Sequence, residues 1–296
     1  MKKLFISFAL LISTLAGAKE PLIFASYNIR NFDYDMREDI PTNKSELAKI
    51  IKGINADLIA VQEIVQGDIF EAFVKKRLPN FSVSLSTCGG AGRQKLGFVY
   101  RTSKLELLKF IEDNSVSGGG KCGRGLRPAA IGKFKIKSDS TEFTAFSLHL
   151  KAGGRPQNAD VRFKQYGFIT QIVESLKRDG QKNIVMMGDL NTTHYLLKDK
   201  YYARFVDFVS DNGLVDMASQ IKCSSYWWGG RNDGKEYKSL LDHVMISQEF
   251  YNSFKSHSIS VKSHCEKSAC KTSRADELGI SYQEVSDHCP VVATLK

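Results

Sequence analysis

Short apolar runs divide the chain into segments typical of buried strands. Each run holds three to eight residues and stands between residues that favour turns. The runs lie at residues 22–27, 58–61, 81–85, 96–101, 105–111, 131–136, 143–150, 184–187, 241–246, 259–261 and 290–295. Those between residues 81 and 150 follow one another closely, which predicts a meander.

Segments in which apolar residues recur with helical spacing lie between several of these runs. In the segment 44–54 the apolar residues recur as they do on one helix face, and Asn43 followed by Glu46 is typical of a helix start. Helices are predicted near residues 44–54, 69–78 and 160–178. This order of elements indicates an α+β protein with two stacked sheets and helices outside them.

The segment 22–295 contains no internal repeat or long linker, so we expect one domain over residues 19–296. The Gly-rich stretch 118–120 and the segment 263–286 are predicted to be mobile surface loops.

The first 18 residues have the parts of an export signal. Lys2 and Lys3 give a positive start, residues 4–15 form an apolar run, and residues 16–18 are small, as at a cleavage site. The apolar run is too short to span a bilayer, and no later run is long enough. We therefore expect a secreted or periplasmic protein without stable membrane insertion.

Six cysteines follow this segment, an even number that predicts disulfides in an oxidising compartment. Six cysteines allow 15 connectivities, and the short loop from Cys265 to Cys270 suggests one pair. A zinc site at His264, Cys265 and Cys270 is the alternative, although no second compact pair of ligands accompanies it. The six are Cys88, Cys122, Cys223, Cys265, Cys270 and Cys289.

The chain is strongly basic, with a formal charge of +10. Without Lys2 and Lys3 it keeps 40 basic and 32 acidic residues, a charge of +8. Such an excess favours a polyanionic partner, whether nucleic acid, anionic lipid or an acidic polymer.

Polar residues recur at the ends of the predicted strands, where a rigid sheet can direct them into one cleft. Taken singly, each has a simple structural explanation, such as a turn, a surface pair or a hydrogen-bonded core histidine. The motifs are SYNIR with Asn28, AVQE with Glu63, SLHL with His149, MMGDLN with Asp189 and Asn191, LLDHV with Asp242, and SDHCPV with Asp287 and His288.

Together and in this order, these motifs resemble the endonuclease/exonuclease/phosphatase superfamily, which includes pancreatic deoxyribonuclease. The resemblance covers nearly the whole chain after the export signal. It implies a DNase I-like four-layer αββα sandwich and a metal-dependent phosphodiesterase. A secreted endodeoxyribonuclease that contacts the phosphate backbone of DNA, with little sequence specificity, is the function we expect. The sequence indicates no protein partner.

The resemblance also implies a metal site. Glu63, Asp287 and Asn28 would bind Mg²⁺, because hard cations take carboxylate and amide oxygens. Mn²⁺ is an alternative, and Ca²⁺ is a candidate structural ion.

The remaining matched residues would carry the chemistry. His288 would take a proton from water, with Asp242 orienting its imidazole. Asp189 and Asn191 would position the attacking water and the phosphoryl oxygens. His149 would donate a hydrogen bond or a proton to the phosphate. His243 alternates to the opposite face of its strand, so we expect it to be structural.

Arg30 and Arg127 match arginines that contact DNA in the pancreatic enzymes, and a guanidinium suits any phosphate. Three positions depart from that pattern. Gln94 replaces a glutamate that partners the first catalytic histidine, Val65 replaces an arginine, and Gly92 replaces a tyrosine that stacks in the groove of DNA. An amide at Gln94 can orient His149 but cannot stabilise its charged form equally.

Two alternatives remain open. The first is a sphingomyelinase or phospholipase C-type phosphodiesterase of the same superfamily, because the aromatic pair Trp227 and Trp228 could enter a membrane interface. We expect this pair to be packed under a loop. The second is a non-catalytic binding or toxin module that keeps the fold, which the complete set of site residues disfavours.

Overall fold

The computed structural model describes residues 20–34, 41–119, 122 and 125–296. The expected export signal at residues 1–18 lies outside this range. In the part that is described, no helix is long and apolar enough to cross a membrane.

Successive side chains of a strand point to opposite faces, and here the central strands bury both faces. The strands are β1 (Leu22–Asn28), β2 (Leu58–Ile64), β3 (Phe81–Leu85), β4 (Lys95–Arg101), β5 (Leu105–Asp113), β6 (Ala129–Ile136), β7 (Glu142–His149), β8 (Ile184–Asp189), β9 (Leu214–Asp216), β10 (Ser225–Trp227), β11 (Tyr237–Ser239), β12 (Asp242–Ser247), β13 (His257–Val261) and β14 (Val291–Leu295).

The helices come in two sizes. Four are long enough to cover a sheet: α1 (Lys44–Ile54), α2 (Gly67–Arg77), α3 (Pro156–Arg178) and α4 (Lys200–Asp211). The others are short: α5 (Gln248–Asn252), α6 (Ser263–Lys267), α7 (Ala275–Leu278), α8 (Ile280–Gln283) and the 3₁₀ turns Asn114–Ser117 and Met217–Gln220.

Two six-stranded sheets contain most of these strands. The first has the order β13-β14-β1-β2-β4-β3, and the second has the order β5-β6-β7-β8-β12-β9. The pairs β1–β2 and β7–β8 are parallel, whereas the other pairs in the two sheets are antiparallel. β10 and β11 form a separate two-stranded ribbon.

The two sheets stack on a common apolar interior. Phe24 of the first sheet contacts Phe143 of the second edge-on, and Phe143 stacks between Phe134 and Phe250 at ring distances of 5.6 and 5.8 Å. Helices α1 and α2 cover the outer face of the first sheet, and α3 and α4 cover the outer face of the second. This arrangement confirms the predicted α+β, four-layer αββα sandwich.

The predicted helix start at Asn43 is also confirmed, since its side chain accepts a hydrogen bond from the Glu46 N–H at 3.0 Å. Other local predictions need correction. The strands from residue 81 to 150 form no single meander, because β3 and β4 join the first sheet and β5 to β7 join the second. The segment 263–286 contains α6, α7 and α8 rather than only loop.

Three disulfides link the six cysteines, and they are Cys88–Cys122, Cys223–Cys270 and Cys265–Cys289. The predicted bond between Cys265 and Cys270 is therefore wrong. These two residues flank the end of α6, and that helical turn directs their side chains to different neighbours. The zinc alternative is also wrong, because the described residues include no free cysteine.

The strand directions bring the functional motifs to one edge of the sandwich. β1 and β2 are parallel and end at this edge, and β14, antiparallel to β1, begins there. In the second sheet β7 and β8 end at the same edge, where the antiparallel β12 begins. Residues far apart in sequence therefore meet at one edge of both sheets.

We expect Gly188→Ala to lower the free energy of unfolding by about 2–4 kcal/mol. Gly188 has a φ of 151°, and an added Cβ would collide with the backbone of Leu148 on the neighbouring strand. Chemical denaturation measures the change. Gly167→Ala is the matched control, because its Cβ would meet nothing within 4 Å inside α3. The control should gain about 1 kcal/mol of helix propensity. Equal stability of both variants would contradict this account.

Candidate active site

Three candidate residues form a row across the second sheet. His149 pairs with Asp189 in the register of β7 and β8, and Asp189 pairs with Asp242 in the register of β8 and β12. Met187 and Val244, two residues further into their strands, face the interior between the sheets. Because side chains two residues apart share a face, the row continues that interior face towards solvent.

The first sheet contributes Asn28 and Glu63. Ile59 and Val61 point to the outer face of the sheet, so regular alternation would also point Glu63 outwards. The pairing of β2 with β4 shifts between Val61 and Ile64, and Glu63 has a φ of 62°. This bulge turns the carboxylate of Glu63 into the cleft.

Hydrogen bonds hold Glu63 in this left-handed conformation. Its Oε1 accepts from Asn28 Nδ2 at 3.1 Å, and its Oε2 accepts from the Asn31 N–H at 2.9 Å. The carbonyl of Glu63 accepts from the Phe32 N–H at 2.8 Å. A non-glycine residue at positive φ is uncommon and persists where the surroundings fix it, as they do here.

Asp189 is buried at the centre of the cluster. Its Oδ1 accepts from the Asn191 N–H at 2.9 Å, and its Oδ2 accepts from Asn28 Nδ2 at 3.0 Å. Nε2 of His149 and of His288 lie 3.4 and 3.8 Å from the same Oδ2. Burial raises the pKa of Asp189, and the neighbouring carboxylate of Asp242 adds to the effect.

His288 and Asp242 form a buried pair, with Nδ1 of the imidazole 2.8 Å from Asp242 Oδ2. Burial alone would lower the pKa of His288, but Asp242 and Asp189 together raise it well above its ordinary value. Ser286 positions this residue, because its hydroxyl accepts from the His288 N–H at 3.0 Å and donates to the Asn28 carbonyl at 2.7 Å.

The two histidines differ in their electrostatics. Burial lowers the pKa of His149 well below its ordinary value, and the positive charges of Arg127 and His288 act in the same direction. His149 Nδ1 is buried without a hydrogen-bond partner among the described residues. Burial and the neighbouring positive charges therefore oppose protonation of His149, whereas the carboxylates of Asp242 and Asp189 stabilise the positive charge that His288 acquires when it takes a proton.

The cluster fits a divalent cation. Burial raises the pKa of Glu63, and the nearby carboxylate of Asp287 raises it further. Oxygen and nitrogen atoms of Glu63, His149 and Asp189 lie within 4.8 Å of one another. A cation among these carboxylates would relieve both the burial and the repulsion. Asn28 directs its amide nitrogen at Glu63 and Asp189, while its Oδ1 accepts from the Arg30 N–H at 3.0 Å.

The two candidate arginines line the cleft and are anchored to backbone carbonyls. Arg30 donates through Nη2 to the Gln283 carbonyl at 2.8 Å. Arg127 donates through Nε and Nη2 to the carbonyls of His149 and Leu150 at 3.1 and 2.9 Å.

Gln94 contacts Arg127 and not His149. Its Oε1 accepts from Arg127 Nη1 at 3.1 Å, and its Nε2 donates to Asn31 Oδ1 at 2.7 Å. Gln94 therefore joins Arg127 to the side chain of Asn31, whose N–H bonds Glu63, and the expected contact with His149 is not formed.

Asn191 and His243 are both buried. Asn191, at a φ of 51°, donates through Nδ2 to the Leu150 carbonyl at 3.1 Å. His243 lies on the outer face of β12, where its ring bonds Thr192 Oγ1 at 2.8 Å and Asp216 Oδ1 at 3.1 Å. This placement fits the structural role expected for His243.

A cleft of about 600 Å³ opens above the cluster. Trp227 and Trp228 line it with 51% and 58% of their surfaces exposed, so the expectation that they are packed under a loop is wrong. Sequence analysis also missed the walls that the ribbon and the segment 263–286 supply, among them Tyr226, Glu236 and Tyr282. The adjacent tryptophans are the one feature of the sequence that indicated a cleft wall. The other wall residues belong to none of the motifs at strand ends, so their position could not be predicted.

A four-layer sandwich with carboxylates and histidines gathered at the strand ends is the architecture of a phosphoester hydrolase. Residues 25–288 match the model of the Endonuclease/Exonuclease/phosphatase family. The chain belongs to this family, whose enzymes act on phosphoester bonds and generally depend on a divalent metal. A comparison with curated proteins found no match.

Solved structures share the fold at low sequence identity. An endonuclease/exonuclease/phosphatase family protein from Bacteroides thetaiotaomicron is 20% identical with a TM-score of 0.64, over 93% of this chain and 95% of that one. The mannosyl-6-phosphatase Bt3783 of that organism is 20% identical with a TM-score of 0.63, over 92% and 98%. TDP2 from D. rerio, complexed with a single-strand DNA product, is 14% identical with a TM-score of 0.62, over 94% and 100%.

We expect Glu63→Gln to raise the metal concentration needed for half-maximal activity and to lower the maximal rate, because it removes one negative charge while nearly keeping shape. A titration of activity with Mg²⁺ measures both quantities. Glu71→Gln is the matched control, since Glu71 is exposed on α2 outside the cleft. An unchanged Mg²⁺ dependence with full rate would remove Glu63 from the metal site.

Asp242 and His243 are adjacent in sequence but face opposite sides of β12, so their substitutions should separate activity from stability. Asp242→Asn should lower turnover by at least about 100-fold with little change in Tm. The amide can still hold the imidazole of His288, but it lacks the negative charge of the Asp242 carboxylate. His243→Ala should instead lower stability by about 2–4 kcal/mol. Turnover is measured on the folded fraction of each variant. A loss of stability in Asp242→Asn together with a loss of turnover in His243→Ala would contradict these two assignments.

Proposed function

We propose that this protein is a secreted, Mg²⁺-dependent phosphodiesterase, and that it acts as an endodeoxyribonuclease with little sequence specificity. The observation that carries the proposal is the open cleft of about 600 Å³, which is lined by Glu63, Asp287 and His288 together with Arg30 and Arg127. Clefts of this size accommodate ligands much larger than a single phosphate group.

The reaction needs a nucleophilic water, a neutralised phosphate and a protonated leaving oxygen. His288 accepts the proton of the water, and Asp242 keeps the imidazole oriented through the 2.8 Å bond to Nδ1. Asp189 and Asn191 position the water and the phosphoryl oxygens. His149 lies across Asp189 from His288 and donates to the phosphate through Nε2.

Glu63 and Asp287 are the carboxylates that would hold the metal. Asn28 donates hydrogen bonds through Nδ2 to both Glu63 and Asp189 and so holds these two carboxylates in place. Bound Mg²⁺ supplies positive charge to the phosphoryl oxygens. Mn²⁺ has the same ligand preference and is the alternative metal. We infer no separate structural Ca²⁺ site from the described residues.

Charge and compartment support an extracellular polyanion as substrate. The formal charge of +8 that remains without Lys2 and Lys3 attracts a phosphate backbone without reading bases. Arg30 and Arg127 add positive charge at the cleft itself. Three disulfides fit an oxidising environment, which agrees with the export signal expected from the sequence. The complex of D. rerio TDP2 with single-strand DNA supports a nucleic acid in this fold.

A phosphodiesterase acting on lipids is the second candidate, because Trp227 and Trp228 are exposed beside the cleft. Such a pair can enter a membrane interface. Release of the head group from sphingomyelin vesicles, measured beside plasmid cleavage, separates the two candidates.

Purified protein should convert supercoiled plasmid to nicked and linear forms in Mg²⁺ and lose this activity in EDTA. His288→Ala should lower the rate by at least about 100-fold without a change in Tm. The rate should also fall steeply between about 50 and 300 mM salt, since binding rests on phosphate contacts. The matched control is His257→Ala, a histidine that stacks on Tyr251 and does not line the cleft. Strictly exonucleolytic products, or activity on sphingomyelin alone, would overturn the proposal.

A further inference from the structure

The chain contains two tryptophans, and both lie next to each other on the rim of the cleft. Trp227 ends β10 and is 51% exposed, and Trp228 follows it and is 58% exposed. Neither indole contacts another aromatic ring within the part of the chain that the structure describes. Two large aromatic faces are therefore open to a ligand.

The ribbon of β10 and β11 is held firmly. The preceding residue, Tyr226, is buried, and its hydroxyl donates to the Lys271 carbonyl at 2.8 Å. The disulfide Cys223–Cys270 ties the same stretch to the segment 263–286. The indoles thus project from a fixed base, so they lose less conformational entropy on binding than side chains of a free loop.

The ribbon is also hydrogen-bonded directly to the backbone of the candidate site residues. Tyr226 N–H donates to the Asp287 carbonyl at 2.9 Å, and Ser225 forms a bridge with His288. A strand rises about 3.3 Å per residue, so Trp227 begins about 7 Å along β10 from the residue that pairs with His288. A group seated on the indoles is close enough to be covalently connected to the phosphate beside His288.

The rest of the ribbon disfavours insertion into a membrane. Its tip, residues 229–236, has the sequence GGRNDGKE and contains no large apolar side chain. Arg231 and Asp233 on this tip both bond the hydroxyl of Tyr237, at 3.3 and 2.5 Å. Burying such a charged tip in hydrocarbon is costly. The tryptophans line the cleft wall, where a planar ligand that carries phosphate fits both the apolar faces and the basic charge.

We propose that Trp227 and Trp228 form a stacking platform for unpaired nucleobases next to the scissile phosphate, which makes single-stranded DNA the preferred substrate. This inference rests on the proposed nuclease function and names the form of its substrate. Every base offers a π face, so stacking adds affinity without sequence preference. In a duplex those faces are covered by neighbouring bases, so the tryptophans add little to the affinity for double-stranded DNA.

The intrinsic fluorescence of the protein tests the platform directly, because all of its tryptophan emission comes from this pair. The protein is prepared as His288→Ala in Mg²⁺ and titrated with oligothymidylate, with an abasic oligonucleotide of equal length and charge, and with sphingomyelin–phosphatidylcholine vesicles. Oligothymidylate should quench the emission, and the abasic chain should quench it far less at the same occupancy.

Kinetics of variants with His288 intact provide the second measurement. Trp227→Ala and Trp228→Ala should each raise KM for single-stranded DNA by about 10-fold with little change in kcat, because stacking acts on binding. KM for duplex and for abasic DNA should change much less. Trp→Phe at either position should restore much of the affinity. Leu197→Ala is the matched control for loss of an exposed apolar side chain, since Leu197 is 70% exposed and does not line the cleft.

Three results would overturn the platform. They are equal quenching by the abasic chain, equal KM effects on abasic and single-stranded DNA, and a blue shift with vesicles but no response to DNA. The proposed nuclease function is judged separately by plasmid cleavage. Cleavage without quenching removes the platform and leaves the nuclease. Quenching without cleavage by the wild-type protein keeps the platform and removes the nuclease.

Discussion

The apolar contact between the two sheets is the interaction on which the site depends. Phe24 and Phe143 meet across the interior, and the rings of Phe134 and Phe250 extend the contact on either side of Phe143. Because the interior is closely packed, one sheet cannot slide on the other without opening cavities. The ends of β1 and β2 are thereby fixed opposite the ends of β7 and β8, and two half-sites become one cluster.

Polar groups replace apolar ones between the sheets as the site is approached. Gln62 donates through Nε2 to Ser147 Oγ at 3.2 Å across the interface, and Ser147 donates to the Val61 carbonyl at 3.1 Å. Above this layer the carboxylates of Glu63 and Asp189 are held together by Asn28. Buried charges of one sign are costly unless compensated. The packing of the sheets therefore maintains a cluster in which burial raises the pKa of both Glu63 and Asp189.

The walls of the cleft are built differently from its floor. The floor is made of strand ends, whereas Tyr226 and the two tryptophans stand on the ribbon and Tyr282 stands on α8. Disulfides and a small apolar cluster around the cysteines hold these walls to the sandwich. A fold supports many activities through its site, and here the candidate hydrolytic groups lie on the floor while residues outside the two sheets line the walls.

The layers of the fold and the candidate residues on the floor of the cleft could be predicted from the sequence. Apolar runs and periodicity located β1, α1 and α3 within a few residues. The order of the polar motifs, which resembles that of the family, made Asn28, Glu63, His149, Asp189 and His288 candidate site residues. These patterns are local, because side-chain periodicity and strand ends depend on only a few neighbouring residues. Sequence analysis missed α4, although Asp199 caps that helix and Phe205 and Phe208 mark its buried face. The contacts between residues far apart in the chain became known only from the fold. It separated β4 from β5, paired Cys265 with Cys289, turned Glu63 inwards through a bulge, and left Trp227 and Trp228 exposed on the cleft wall. Each of these outcomes depends on contacts between segments far apart in the chain, which no local pattern specifies.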